Sequence, residues 1–175
     1  MLDKLFSSKK RIKILEYVLY RDSVTVVKVS DELSLSKGFV SEYLSFLHKN
    51  KILQRDKKYR PVDSYLTRAI KVLLNVNKIK VSKIKKPFIK GMGIYGSWAY
   101  GTNNIYSDFD IWVKTDFYPD EKELAFLVKN LRDMVHTDVQ LLVLTPVKIN
   151  QIKKDTPFYS SLYHGSIILW GEPIG

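Results

Sequence analysis

Cysteine is absent from this chain of 175 residues, which excludes disulfides and thiolate metal sites and fits the expectation of a reducing, cytoplasmic setting. The three histidines, His48, His136 and His164, are scattered and do not compose a zinc site. No stretch approaches the roughly 18 uninterrupted apolar residues of a membrane span, so no membrane partner is expected. The opening Met1-Leu2-Asp3-Lys4-Leu5-Phe6 lacks both a long apolar run and a small-residue cleavage site, so no signal peptide is expected.

Apolar residues make up 45% of the chain, enough for a real core, and charged residues 27%. The formal net charge of +11 is unevenly spread. Residues 1–90 hold 22 Lys+Arg against 8 Asp+Glu, a net of +14, whereas residues 91–175 hold 7 against 10, a net of −3. The first half has the balance of a polyanion-binding module, and the second does not.

Ser7 or Ser8 can cap a first helix whose buried stripe would be Ile12, Leu15, Val18 and Leu19. The β-branched run Val24-Thr25-Val26-Val27 reads as extended, followed by a short helix over Lys28–Leu33. Ser36 caps a third helix to Asn50, in which Val40, Tyr43, Leu44 and Leu47 recur at helical spacing. Ile52–Arg60 reads as a basic hairpin closed by Pro61. Asp63 can cap a connecting helix to Asn75 that buries Tyr65, Leu66, Ala69, Ile70, Leu73 and Leu74.

Short helices followed by a basic hairpin resemble the winged helix-turn-helix family. The resemblance implies a third helix in a DNA major groove and a wing on the backbone. Lys37, Ser41 and Ser45 would then face base edges, and Lys49, Arg55, Lys57, Lys58 and Arg60 would face phosphates. Glu42 in mid-helix argues against a groove, and a protein-contact or homodimer role uses the same shape.

From Asn77 the chain turns lysine-rich and meets Pro87, which reads as a linker. Beyond it, Phe88–Tyr95 is a predicted strand running into Gly96-Ser97. In Asp108-Phe109-Asp110-Ile111-Trp112-Val113 the two-residue period puts Asp108 and Asp110 on one face and Phe109, Ile111 and Val113 on the other. Adjacent carboxylates repel unless a cation or proton lies between them, and Mg²⁺ with phosphate oxygens suits such a pair. Glycine lets a backbone approach phosphate closely, and serine adds a hydroxyl donor.

Ten residues separate Ser97 from Asp108, and the string Gly-Ser, ten residues, Asp-x-Asp resembles the polymerase-beta-like nucleotidyltransferases, above all their minimal (MNT) branch. That resemblance covers about residues 87–172 and implies a third carboxylate on a later neighbouring strand. Asp138, at the start of the predicted strand His136–Leu144, is the natural candidate for metal ligand and general base. A helix from Pro119 to Val135 precedes it; a last helix from Thr156 to Gly165 and a final strand Ser166–Trp170 follow. The arginines frequent after Gly-Ser in that branch are replaced here by Trp98, Ala99 and Tyr100, of which the aromatics read as core rather than as base-stacking groups.

The expected fold is therefore α+β, with a winged helix-turn-helix domain at 1–76, a basic linker at 77–87 and a nucleotidyltransferase domain with a mixed sheet at 88–175. Its implied chemistry is transfer of a nucleoside monophosphate, AMP foremost, from ATP or another NTP to an acceptor hydroxyl. Asp108, Asp110 and Asp138 would hold two Mg²⁺ ions, and Gly96 and Ser97 would grip the phosphates. Resemblance to MNT antitoxins implies a tyrosine of a HEPN-type toxin as acceptor. Two alternatives stay open: a DNA-binding regulator whose second domain binds a nucleotide or partner without chemistry, and an RNA-directed transferase.

Overall fold

Hydroxyl side chains decide where helices begin in the first of two units, Met1–Lys71 and Val72–Gly175, into which the computed structural model divides the 175 described residues. Helix α1 (Leu2–Leu5) buries Leu5, whose carbonyl accepts a hydrogen bond from the Tyr43 hydroxyl at 2.7 Å. Helix α2 (Lys9–Leu19) is capped by Ser8, which accepts the Arg11 amide. Its buried stripe is built on Ile14, Leu15, Val18 and Leu19, leaving Ile12 half-buried on the flank. Thr25 caps α3 (Val26–Leu33) through the Lys28 amide. The β-branched run therefore supplies only a bridge between Val24 and Tyr59 before the helix starts, because the cap satisfies an otherwise orphan donor.

Ser36 caps α4 (Lys37–Lys49), which buries Val40, Tyr43, Leu44 and Leu47 as its spacing predicts. Strands β1 (Leu53–Arg55) and β2 (Tyr59–Pro61) form the antiparallel hairpin.

Helix α5 (Tyr65–Lys78) carries the division between the units. It starts from Ser64, whose hydroxyl accepts the Thr67 amide at 3.2 Å, while Asp63 is engaged by Arg68 in two 2.7 Å bonds. Its buried row is Thr67, Ile70, Lys71, Leu74 and Asn75, at i, i+3, i+4, i+7 and i+8. Tyr65, Leu66, Ala69 and Leu73, expected inside, are exposed, because the inward face takes polar residues in place of an all-apolar stripe.

The lysine-rich stretch after α5 holds helix α6 (Val81–Ile84), with Ile79 and Ile84 buried. Six lysines between 72 and 90 thus belong to the second unit. The first unit then carries 16 Lys+Arg against 8 Asp+Glu, and the second 13 against 10. Lys85 lies 4.1 Å from the Trp170 ring centroid and Lys86 4.7 Å from that of Phe126.

The second unit is built on a four-stranded mixed sheet. Its elements are β3 (Gly91–Ile94), α7 (Gly96–Tyr100), β4 (Phe109–Lys114), α8 (Glu121–Val135), β5 (Val139–Leu144), α9 (Pro146–Ile152), α10 (Thr156–Gly165) and β6 (Ile167–Gly171). The strand order is β5-β4-β3-β6, with β4 and β5 parallel and the other pairs antiparallel. One face buries Met92, Ile94, Phe109, Ile111 and Val113 against Trp98 and against Leu127 and Leu131 of α8. On the other, Trp112 and Leu144 pack with Ile149, Ile152 and Leu162 of α9 and α10. Gly93 makes that layer possible, since a Cβ there would come within 2.6 Å of the Trp112 ring. The Trp112 indole donates to the Ser166 hydroxyl at 3.1 Å.

Strand β5 begins at Val139 rather than His136, because His136 takes a left-handed φ of 56° and ends α8. Helix α9 is an addition to the expected elements, and its local signal is Thr145 as cap with Pro146 in the first turn.

Candidate active site

The spacer of ten residues between Ser97 and Asp108 is a folded device. Gly96, with φ of 64°, turns the chain from β3 into α7, and Gly101, with φ of 68°, ends that helix. The Ser97 carbonyl then accepts the amides of Thr102 at 3.0 Å and Asn103 at 3.2 Å. Asn103, fully buried, exchanges hydrogen bonds with buried Asn75: Asn75 Nδ2 donates to Asn103 Oδ1 at 3.0 Å, and Asn103 Nδ2 donates back at 3.3 Å. Asn75 also donates to the Trp98 carbonyl at 2.8 Å, so one side chain ties α7 to the loop behind it. Asn104 closes the remainder: its side chain accepts the Tyr106 amide, and its own amide donates to the Ser107 hydroxyl at 2.9 Å.

That loop delivers Asp108 and Asp110 at the start of β4. Asp108 is exposed, and Asp110 is half-buried. A Cβ on Gly96 would collide with Asp110 Oδ2, so the glycine turn and the second carboxylate are in direct contact. Burial, and then the neighbouring Asp108 charge, push the Asp110 carboxyl above its ordinary range. Burial, with the Asp110 charge adding to it, pushes the Tyr95 phenol up to about 12.

The third predicted carboxylate is not brought to this pair. Asp138 precedes β5, its carbonyl accepts the Phe109 amide at 2.8 Å, and its carboxylate lies 3.3 Å from Arg132 of α8. No group of three or more His, Cys, Asp or Glu side chains is arranged to hold a metal ion. The residue across the ladder from Asp110 is Gln140, whose Nε2 is 3.4 Å from Asp108 Oδ2. Sequence reasoning missed Gln140, because only the β4–β5 register brings it there. As a donor set, two same-face carboxylates with an exposed side fit one divalent cation shared with phosphate oxygens.

Trp98 is core, 3% exposed and edge-on to Phe109, whereas Tyr100 is half-exposed above Gly165. In the first unit Lys37, Lys49, Arg55, Lys57, Lys58 and Arg60 are exposed, and Ser41 and Ser45 half-buried on α4. Glu42 lies 3.6 Å from Arg11, and Arg60 is 3.6 Å from Asp56.

A glycine turn therefore lies directly against one of two carboxylates at the start of a central strand of the mixed sheet. The family described as "Nucleotidyltransferase domain" matches residues 75–162, half of the chain, and the protein belongs to it as a nucleotidyltransferase. Comparison with curated proteins yields no match. Among solved structures the chain is similar to a toxin–antitoxin crystallised with AMP-PNP, with 24% identity, a TM-score of 0.43, and coverage of 56% of this chain and 74% of that one. It is also similar to a tri-AMPylated HEPN toxin in complex with its MNT antitoxin from Shewanella oneidensis (21% identity, TM-score 0.40, 58% and 73% covered). A third is the toxin–antitoxin MntA-HepT (21%, 0.39, 57% and 73%).

Proposed function

We propose that this nucleotidyltransferase moves a nucleoside monophosphate, AMP foremost, from an NTP to an acceptor hydroxyl, with Asp108 and Asp110 as the metal-binding carboxylates. The observation that carries this reading is the contact between the Gly96 turn and the Asp110 carboxylate, with Asp108 on the same face. Gly96 and Ser97 approach the phosphates through backbone and hydroxyl, while Asp108 and Asp110 hold Mg²⁺ with the triphosphate. The ion, when bound, supplies charge neutralisation at the phosphate undergoing transfer. Asp138, paired with Arg132, stands outside the pair and would have to leave that partner to act as base.

The acceptor class implied by the resemblance to MNT antitoxins is a tyrosine of a HEPN-type partner protein. The test is calorimetric binding of ATP and the other NTPs with Mg²⁺, for wild type and for the Asp108→Asn/Asp110→Asn double variant, followed by label transfer from α-labelled ATP to the partner. Carboxylate-dependent binding supports the proposal. Equal binding by both forms would sink the assignment of the two aspartates.

The first unit reads as a winged helix-turn-helix domain that binds duplex DNA. Its support is the capped α4 with a basic hairpin behind it, and the Arg11 partner that offsets Glu42 on the presented face. Binding to duplex DNA that falls steeply with salt is the expected result. Preference for structured RNA would move the acceptor search to RNA.

A further inference from the structure

Gln140, a neutral residue, stands beside the paired aspartates. Strands β4 and β5 are parallel and in register Asp110↔Gln140, so both side chains leave the same face of the sheet. From there the carboxamide reaches Asp108, with Nε2 3.4 Å from Oδ2. The next acidic residue, Asp138, is held by Arg132 at 3.3 Å, and no third acidic or imidazole group joins the pair.

The number of divalent cations a site holds follows from its anionic oxygens. Two ions about 4 Å apart in a phosphoryl-transfer site repel each other strongly, and protein carboxylates add to the nucleotide's phosphate oxygens in offsetting that repulsion. Here the protein brings two negative charges, and one of those carboxylates is half-buried against Gly96. The group beside them is neutral, and it turns an N–H donor toward Asp108. That donor faces a lone pair of Asp108 and turns a positive edge, not a further anionic oxygen, toward the pair.

We propose that Gln140 makes this a site for a single divalent cation: Asp108 and Asp110 hold one ion that arrives with the triphosphate, and Gln140 is a positioning residue that orients Asp108 and blocks a second ion. The inference rests on the assignment of Asp108 and Asp110 to metal and nucleotide. It implies that deprotonation of the acceptor falls to a group from outside the carboxylate pair, which suits an acceptor delivered on another macromolecule.

The experiment is a Mn²⁺ titration read by electron paramagnetic resonance, with a non-hydrolysable ATP analogue at saturation. Wild type, Gln140→Glu and Gln140→Asp are compared after thermal melts confirm that each is folded. The expected result is one nucleotide-dependent Mn²⁺ per wild-type chain, and two in at least one acidic variant, with spin–spin broadening of the signal. Two ions in wild type would overturn the inference while leaving the proposed function standing. One ion in all three proteins would also overturn it, since Gln140 would then not limit the count. No nucleotide-dependent ion in wild type would overturn both readings together.

Discussion

The Asp110 carboxylate rests directly on the Cα of Gly96, so closely that no side chain fits between them. Glycine is required twice over at that position, once for a φ of 64° and once for the space that Asp110 occupies. Gly96→Ala is therefore expected to cost about 1–2 kcal/mol for the left-handed backbone, and to displace Asp110 as well. Thermal unfolding and calorimetric binding of ATP with Mg²⁺ check it; a stable variant with unchanged nucleotide affinity would contradict the contact.

Asp110→Asn is expected to separate stability from function. Burial and the Asp108 charge raise the Asp110 carboxyl's pKa, so its ionised form destabilises the folded state at neutral pH. The neutral variant should melt at the same temperature as wild type or higher. Transfer should nevertheless fall at least roughly a hundredfold, because metal-assisted stabilisation is worth several kcal/mol. A lower melting temperature with retained transfer would reverse both halves of the expectation.

Asn75 holds α7 and the following loop through hydrogen bonds to Trp98 and Asn103 from a fully buried position. Asn75→Ala leaves these groups without that partner, at a cost of about 1–3 kcal/mol. Urea unfolding of the full chain reads this directly. Weaker nucleotide binding in the folded variant is expected too, since the loop that delivers Asp108 loses its anchor.

Lys71 supplies a pH signature. Burial holds its ammonium down at about 8 against an ordinary 10.5, an effect that Asp63 only partly offsets. Between those values the unfolded chain binds more protons than the folded one, so the Lys71 contribution to stability rises with pH in this window. Lys71→Met should thus stabilise most, relative to wild type, at about pH 7, and the gap should narrow by about pH 9.5. Urea midpoints at both pH values measure it, and a constant gap would exclude the mechanism.

The hairpin lysines provide a test of polyanion binding. Lys57 and Lys58 are exposed at the turn between β1 and β2. If both touch phosphates, Lys57→Ala/Lys58→Ala should reduce the slope of log affinity against log salt by about 0.9 for each phosphate left without its lysine. An unchanged slope would remove the hairpin from the proposed DNA interface.

How much of this was legible in advance depends on the range of the interaction. Ser8 and Ser36 as caps, the apolar face of α4, the hairpin and the shared face of Asp108 and Asp110 follow from neighbours a few residues apart. The inward face of α5 departs from the apolar pattern, because Thr67, Lys71 and Asn75 are buried at the expense of more apolar neighbours. Only partners elsewhere in the fold make such burial tolerable, as Asn103 and the Trp98 carbonyl do for Asn75.

By itself the sequence determined the chemistry at one end of β4: a glycine turn, a spacer of ten residues and two carboxylates kept on one face by the period of a strand. The third position was decided by tertiary structure. Whether Asp138 or Gln140 stands beside Asp108 depends on where α8 ends and on the register in which β5 joins β4. A shift of two residues in that register would keep the face of β5 and set Asp138 or Leu142 across from Asp110 in place of Gln140. The register is set by hydrogen bonds and packing between segments distant in the chain, such as the Phe109 amide on the Asp138 carbonyl, and no local pattern encodes it.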